Sequence, residues 1–316
     1  MYDRPSPPDP GIERLVTADI SSTSGMRPDD LSLLRAKAGV YVYRCTYGGA
    51  PAIVKYFERE SDRREILNYR LLMKSRIPTM RVLAFGKASL VMEDGATSAD
   101  WRLGTAEDMR DPEVAVSLAR WYFDLHERGS RIPELDTLYC EYDGVTEEKL
   151  KALCDRLPGA ADTFSFILVR YRKLRELIDS VRCTLTYNDF HWTNCLVRKD
   201  KQAALMFDYQ LLGRGYRYAD LRNVAALLSR DAYKAFADEY ARLYVLEHGR
   251  RRTDEESKER TIYNVAAVLF ELVSAYELER FPSWAIEAKA RALSGRLLVD
   301  ARRLLQNKSQ DEERCR

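Results

Sequence analysis

The segment Thr186-Tyr187-Asn188-Asp189-Phe190-His191-Trp192-Thr193-Asn194 sets a carboxylate and a carboxamide five positions apart. An apolar run, Cys195-Leu196-Val197, follows it; then come the basic turn Arg198-Lys199-Asp200-Lys201 and a second run, Ala203-Ala204-Leu205-Met206-Phe207, that ends at Asp208. Two strand-like runs joined by a polar turn read as a hairpin. A hairpin of this kind can bring Asp189, Asn194 and Asp208 to one edge. Carboxylate and amide oxygens are the hard donors that magnesium prefers. Phosphoryl transfer from ATP asks for such ligands, for one carboxylate beside the acceptor hydroxyl, and for a cation on the phosphates. Upstream, Lys55 closes the run Ala52-Ile53-Val54, and Glu65 begins a helical stripe. A Lys55–Glu65 pair would aim the ammonium at phosphate oxygens.

The elements that must hold these groups are legible in outline. Val40 to Tyr43 and Ala52 to Phe57 are rich in strand formers, and Gly48-Gly49 between them is a hairpin signal. Glu65, Tyr69 and Leu72 share one stripe of a helix that Pro78 stops. Val82 to Phe85 and Ser89 to Met92 read as two further strands across Gly86-Lys87. After Gly95 the pattern turns helical. Val114, Leu118, Trp121 and Leu125 form one apolar face, and Phe164, Ile167, Leu168, Tyr171 and Leu174 another. Tyr233 to Leu243, Ile262 to Val273 and Leu293 to Leu304 repeat the theme. The expected domains are an irregular leader over 1–30, a nucleotide-binding lobe over 31–95, and a helical catalytic and substrate-binding lobe over 96–316. The stretch from Arg250 to Arg260 reads as a solvated, charge-dense connection, and the tail from Gln306 as polar and frayed.

Bulk properties narrow the class. In 316 residues, 51 Lys and Arg stand against 49 Asp and Glu, and a net charge of +2 gives no argument for nucleic acid or a membrane surface. No apolar run reaches the length of a membrane span. The Pro-rich start lacks the pattern of a signal peptide. Cys45, Cys140, Cys154, Cys183, Cys195 and Cys315 are scattered, so free thiols in the cytoplasm are expected rather than disulfides or a zinc site.

Taken together the motifs resemble the aminoglycoside phosphotransferase family, which includes choline-kinase-like enzymes of protein-kinase-like fold. The family's His-Gly-Asp-x-x-x-x-Asn segment is matched by Tyr187 to Asn194, and its Ile-Asp-Trp/Phe segment by Phe207-Asp208-Tyr209. Ala219-Asp220-Leu221 resembles a downstream Asp-Leu pair, and Leu125-His126 a common helix end. Tyr187 and Asn188 depart from the leading His-Gly, although Asn188 is similar to the choline kinase form. Near the phosphate loop only Gly39 stands in place, with no GxGxxG. The resemblance implies an α+β, bilobal fold, with a small antiparallel sheet lobe carrying one long helix and a larger helical lobe.

It also implies the site residues. Asp189 would be the catalytic group, orienting or deprotonating the acceptor hydroxyl. Asn194 and Asp208 would hold Mg2+. Lys55, paired with Glu65, would contact the ATP phosphates, and the backbone at Met92 and Glu93 would meet adenine. Asp220 would brace the catalytic loop. His191, His126 and His248 read as structural or surface residues, Trp121 as core, and Trp192, Tyr209, Tyr216 and Tyr218 as either filling or substrate-gripping aromatics. Glu271, Glu277 and Glu279 lie on a late helical stretch where the family binds cationic acceptors. The function implied is ATP- and Mg2+-dependent phosphorylation of a small hydroxylated acceptor by a chain that is a monomer by default. That acceptor is aminoglycoside-like, an amino alcohol or a sugar. Choline, ethanolamine or lipopolysaccharide-core kinase activity and a catalytically inactive nucleotide-binding pseudokinase are the alternatives.

Overall fold

A computed structural model describes residues 10–306. The chain forms two compact units, each assembled from separate stretches: 1–132 with 187–212 and 223–249, and 133–186 with 213–222 and 250–316. This differs from a division at residue 95, because the chain returns to the first unit twice.

The first unit is built on a five-stranded antiparallel sheet. Its strands are β1 (Asp29–Lys37), β2 (Val40–Tyr47), β3 (Ala50–Phe57), β4 (Val82–Phe85) and β5 (Ser89–Glu93), in the order β1-β2-β3-β5-β4. Both β1–β2 and β2–β3 turn through two residues. The second of these turns uses Gly48 and Gly49 at φ +60° and +80°, the mirror-image turn that matches the strand twist. Period-two alternation then assigns the faces. Ala52, Val54 and Tyr56 of β3 pack with Tyr43, Cys45 and Val91, while Lys55 points the other way, to α2 (Arg64–Lys74).

The first of those faces is covered by α1 (Pro10–Ser24), where an irregular leader was expected. Its stripe Ile12, Val16 and Ile20 is buried on the sheet. Side chains of this size each contribute about 1.5–3 kcal/mol when removed from water, enough to order a helix whose Ser- and Thr-rich sequence reads as loop. The Asp19 carboxylate fastens it further, accepting from the Lys87 and Ala88 amides at 3.0 Å. Residues 1–9 and the tail from 307, with Cys315, lie outside the described residues.

The rest of the first unit consists of α3 (Pro112–Gly129), α8 (Arg230–His248) and a three-stranded sheet of β6 (Trp101–Leu103), β8 (Cys195–Arg198) and β9 (Ala204–Met206). Helix α3 starts on Asp111, whose side chain accepts from the Glu113 amide at 2.9 Å, with Pro112 in its first turn. Its face Val114, Leu118, Trp121 and Leu125 is buried as the spacing predicts.

The second unit holds α4 (Glu147–Arg156), α5 (Ala161–Leu168), α6 (Tyr171–Asp179), α9 (Thr253–Tyr276), α10 (Ile286–Leu293) and α11 (Arg296–Gln306), with a two-stranded ladder of β7 (Thr184–Thr186) and β10 (Gly213–Gly215). Helix α7 (Arg217–Leu227) contributes residues to both units. Two helical faces expected to be continuous are broken. The face from Phe164 to Leu174 divides between α5 and α6, and that from Leu293 to Leu304 divides at Gly295, which takes φ +76°. The stretch expected to be a solvated connection begins α9 and buries an ion pair, Arg252 Nη1 to Glu259 Oε1 at 2.7 Å. Apolar periodicity could not reveal this, because the stripe there is ionic. No described helix is long and apolar enough to cross a membrane.

Candidate functional site

Strand β3 delivers Lys55 and helix α2 delivers Glu65, and their side chains meet at Nζ–Oε2 2.5 Å. Asp208, past the end of β9, places Oδ1 2.8 Å from the same ammonium. Two groups ten positions apart and a third 153 positions beyond Lys55 thus form a carboxylate–ammonium–carboxylate chain within the first unit. Lys55 and Glu65 are 8% and 1% exposed, so the pairing cannot be left to water. Burial alone would lower the Lys55 pKa, but Glu65 and Asp208 reverse this and hold it above the ordinary value, so the cation is permanent. Burial pushes Glu65 up to about 7 against the pull of Lys55.

Asp189 and Asn194 lie across a short loop and 3-10 turn. Asn194 Nδ2 donates to Asp189 Oδ2 at 2.9 Å, which leaves the amide oxygen of Asn194 for another ligand. The loop sits tightly on β6: a Cβ at Gly104 would come 2.6 Å from the Trp192 carbonyl, and the Gly104 amide donates to the Cys195 carbonyl at 2.7 Å. Asp189 is partly buried, and desolvation followed by the nearby Asp208 charge raises it to about 6. A carboxylate poised there is ionised at neutral pH and remains basic enough to accept a proton.

The two departures from the family motif have local explanations. Tyr187 is fully buried, with Trp121 and Tyr209 edge-on at 5.9 and 6.0 Å, and its hydroxyl donates to the Phe207 carbonyl at 2.5 Å. It thereby ties the segment that carries Asp189 to the residue before Asp208. Asn188 takes φ +66°, a left-handed conformation open to Gly and, among other residues, mostly to Asn and Asp. Its side chain donates to the Leu211 carbonyl at 3.0 Å. Asp208 is left-handed too, at φ +65°.

The other nominated residues divide. Met92 is buried in β5, and the Glu93 amide is already used by the Arg81 carbonyl at 3.0 Å. Next to them, buried Asp94 binds Arg44 at 2.7 Å and the Ala96 amide at 3.0 Å, shaping the turn after the strand. The turn between β1 and β2, where a phosphate loop would be, is closed by only Ala38 and Gly39. His126 is buried, with Nδ1 2.7 Å from the Tyr240 hydroxyl, and His191 caps the turn at Thr193. His248, at the end of α8, binds Glu127 at 2.9 Å. Tyr209 is core.

One residue of the site escaped the sequence reading. Asn68 is 6% exposed and donates to the Tyr209 carbonyl at 2.8 Å. The available signal was a polar residue on the buried stripe of α2, three positions after Glu65.

The second unit has its own acidic and aromatic cluster. Glu141 rises to about 7, from burial first and then from the charges of Asp220 and Glu271. Burial also raises Glu271, against Arg222. Tyr218 sets its ring edge-on to Tyr263 at 5.5 Å, and buried Tyr216 stacks on Tyr142 at 4.8 Å. Of the three late glutamates only Glu271 lies within α9. Glu277 caps the helix and binds Lys149 at 2.7 Å, and Glu279 lies beyond it.

A sequence profile described as the phosphotransferase enzyme family matches residues 30–256. No curated protein sequence matches the chain. Among solved structures, choline kinase LicA from Streptococcus pneumoniae superposes with a TM-score of 0.60 at 14% identity, covering 92% of this chain and 99% of that one. Macrolide 2'-phosphotransferase MphH from Brachybacterium faecium gives 0.57 at 16%, over 89% and 98%. An ethanolamine kinase from Plasmodium vivax gives 0.55 at 12%, over 87% and 84%. These likenesses show the fold, which is α+β and protein-kinase-like.

Proposed function

This chain belongs to the phosphotransferase enzyme family, and we propose that, as an alcohol-group kinase of that family, it transfers the γ-phosphate of ATP, with Mg2+, to a hydroxyl of a small amine-bearing acceptor. The observation that carries the reading is the Glu65–Lys55–Asp208 chain with Asp189 and Asn194 in the same unit. It supplies a fixed cation, two metal-ligand types and a carboxylate base. The donor set suits magnesium, which takes oxygen ligands: Asp208 offers a carboxylate and Asn194 an amide oxygen. Bound there, the metal and nucleotide would supply phosphate charge neutralisation and the transferable phosphoryl group.

The chain's own residues do the rest. Lys55 binds phosphate oxygens while Glu65 keeps the ammonium directed. Asp189 orients the acceptor hydroxyl and accepts its proton, for which it must be ionised. Residues 31–95 would make the nucleotide-binding lobe, with adenine beside Met92 and Glu93. The Glu93 amide being occupied, its carbonyl is the better candidate for that contact.

An amine on the acceptor is supported by the second unit taken by itself, where Glu141 and Glu271 stand near the Tyr263 ring, with Arg222 already against Glu271 and that ring. Carboxylates and aromatic faces together attract ammonium groups. The test is ADP release and phosphorylated product by mass spectrometry, with ATP and Mg2+ against aminoglycosides, choline, ethanolamine, amino sugars and uncharged sugars. Amine-bearing alcohols should stimulate turnover. Stimulation by uncharged sugars alone would remove the amine from the assignment. Mg2+-dependent nucleotide binding with no turnover on any acceptor would favour the inactive nucleotide-binding alternative.

A further inference from the structure

We propose that Asn68 is a positioning residue for Asp208, one of two side chains that clamp the backbone on either side of it. The inference rests on the reading that Asp208 is a magnesium ligand.

Asp208 faces two demands. Its Oδ1 is 2.8 Å from Lys55 Nζ, and a carboxylate that turns to a metal gives up part of that contact. Its direction then depends on its backbone, which is left-handed at φ +65°, a conformation that Asp adopts more readily than most residues with a Cβ but still at a cost. The flanking carbonyls are both held by side chains. Phe207 O accepts from the Tyr187 hydroxyl at 2.5 Å, and Tyr209 O accepts from Asn68 Nδ2 at 2.8 Å. The Leu212 carbonyl lies 3.5 Å from the same nitrogen. Tyr69, the next residue on α2, sets its ring edge-on to Tyr209 at 4.6 Å.

The placement on α2 gives the clamp a second consequence. Asn68 follows Glu65 by three positions, so both lie on one buried helix face. Glu65 grips Lys55 while Asn68 grips the chain beyond Asp208. One helix therefore sets the phosphate cation and the metal carboxylate together. The amide donor is the feature required: leucine keeps the branching at Cγ but would leave the Tyr209 carbonyl with only the Leu212 amide, at 3.2 Å, as its donor.

The experiment is calorimetric titration of ATP into the full chain, once with Mg2+ and once with EDTA. The wild-type chain should bind more tightly with Mg2+. Groups that orient metal ligands are worth about 10–100-fold in metal affinity, so Asn68→Leu should erode the Mg2+ advantage by about tenfold while affinity in EDTA stays within about twofold. Tyr187→Phe, which removes the other jaw, should act in the same direction. If circular dichroism shows Asn68→Leu unfolded, Asn68→Ser replaces it and is read the same way. A folded variant at Asn68 with the wild-type ratio of affinities would overturn the clamp. A wild-type chain indifferent to Mg2+ would instead overturn the assignment of Asp208 to the metal, and the clamp's role with it.

Discussion

In the first unit Glu65 and Asp208 share the Lys55 ammonium and Asp189 accepts from Asn194, so each buried or partly buried carboxylate of the site faces a donor. In the second unit Glu141 lies within reach of Asp220 and Glu271, with no cation against it among the described residues. Both arrangements take charge out of water, but Glu141 meets no countercharge of its own, whereas Glu271 beside it has Arg222. The difference matches what each unit is proposed to meet. Phosphate and metal are the same in every turnover, and a site for them can be built with its charges already paired. A carboxylate left without a partner is costly, and it is better suited to a partner that arrives with the acceptor.

The sharpest test of the comparison removes the base. Asp189→Ala should lower turnover by about 10²–10⁴-fold, measured by ADP release, while nucleotide affinity survives. Full turnover in that variant would end the assignment. Next in size is Lys55→Met, which strands Glu65 and Asp208; removing one partner from a buried pair costs about 3–5 kcal/mol. Urea unfolding at pH 8 should show the loss. It should shrink below pH 7, because Glu65, raised to about 7, takes up a proton there and no longer needs the cation. A loss independent of pH would mean that packing, and not charge, holds the pair.

Glu141→Gln should do the opposite. A carboxyl raised to about 7 in the fold favours its protonated form, so the stability it contributes is complete at acid pH and is lost as pH rises through about 7. Glutamine never ionises, and the variant should be more stable than wild type by about 1–2 kcal/mol at pH 8 and equal to it near pH 4. Equal stability at both would show that Glu141 is not strained by its neighbours. A smaller effect is kinetic: kcat/KM should rise with pH through about 6 as Asp189 ionises, and a profile flat from pH 5 to 8 would exclude it as the base. Smallest is Arg120→Ala. Its partner Glu239 is lowered to about 2 chiefly by Arg242, and an ion pair whose arginine is half exposed is worth under about 1 kcal/mol.

Where the sequence reading succeeded, the governing interactions are local. Alternation placed Lys55 on a strand, three- and four-residue spacing placed Glu65 on a buried stripe, and Gly48-Gly49 fixed the hairpin before them. It failed where order comes from distant partners. Helix α1 looked like a leader because its own residues favour caps and turns; the sheet beneath Ile12, Val16 and Ile20 makes it a helix. Strands β6, β7 and β10 have three residues each, too few to establish a period. The break between α5 and α6 interrupts an apolar face that the spacing alone continues.

By itself, then, the sequence nominated the groups proposed to react. Asp189, Asn194, Asp208, Lys55 and Glu65 are chosen for what carboxylate, amide and ammonium groups can bind, and that is a property of residue type. Tertiary structure alone decided how they are held. Lys55 and Asp208 are 153 positions apart, and no spacing rule brings them to 2.8 Å. The same holds for Asn68 and the Tyr209 carbonyl, 141 positions apart. An asparagine on a helix announces nothing until the chain end it secures is folded against it. Burial then gives each contact its weight, because a hydrogen bond or ion pair becomes decisive only where water cannot replace it.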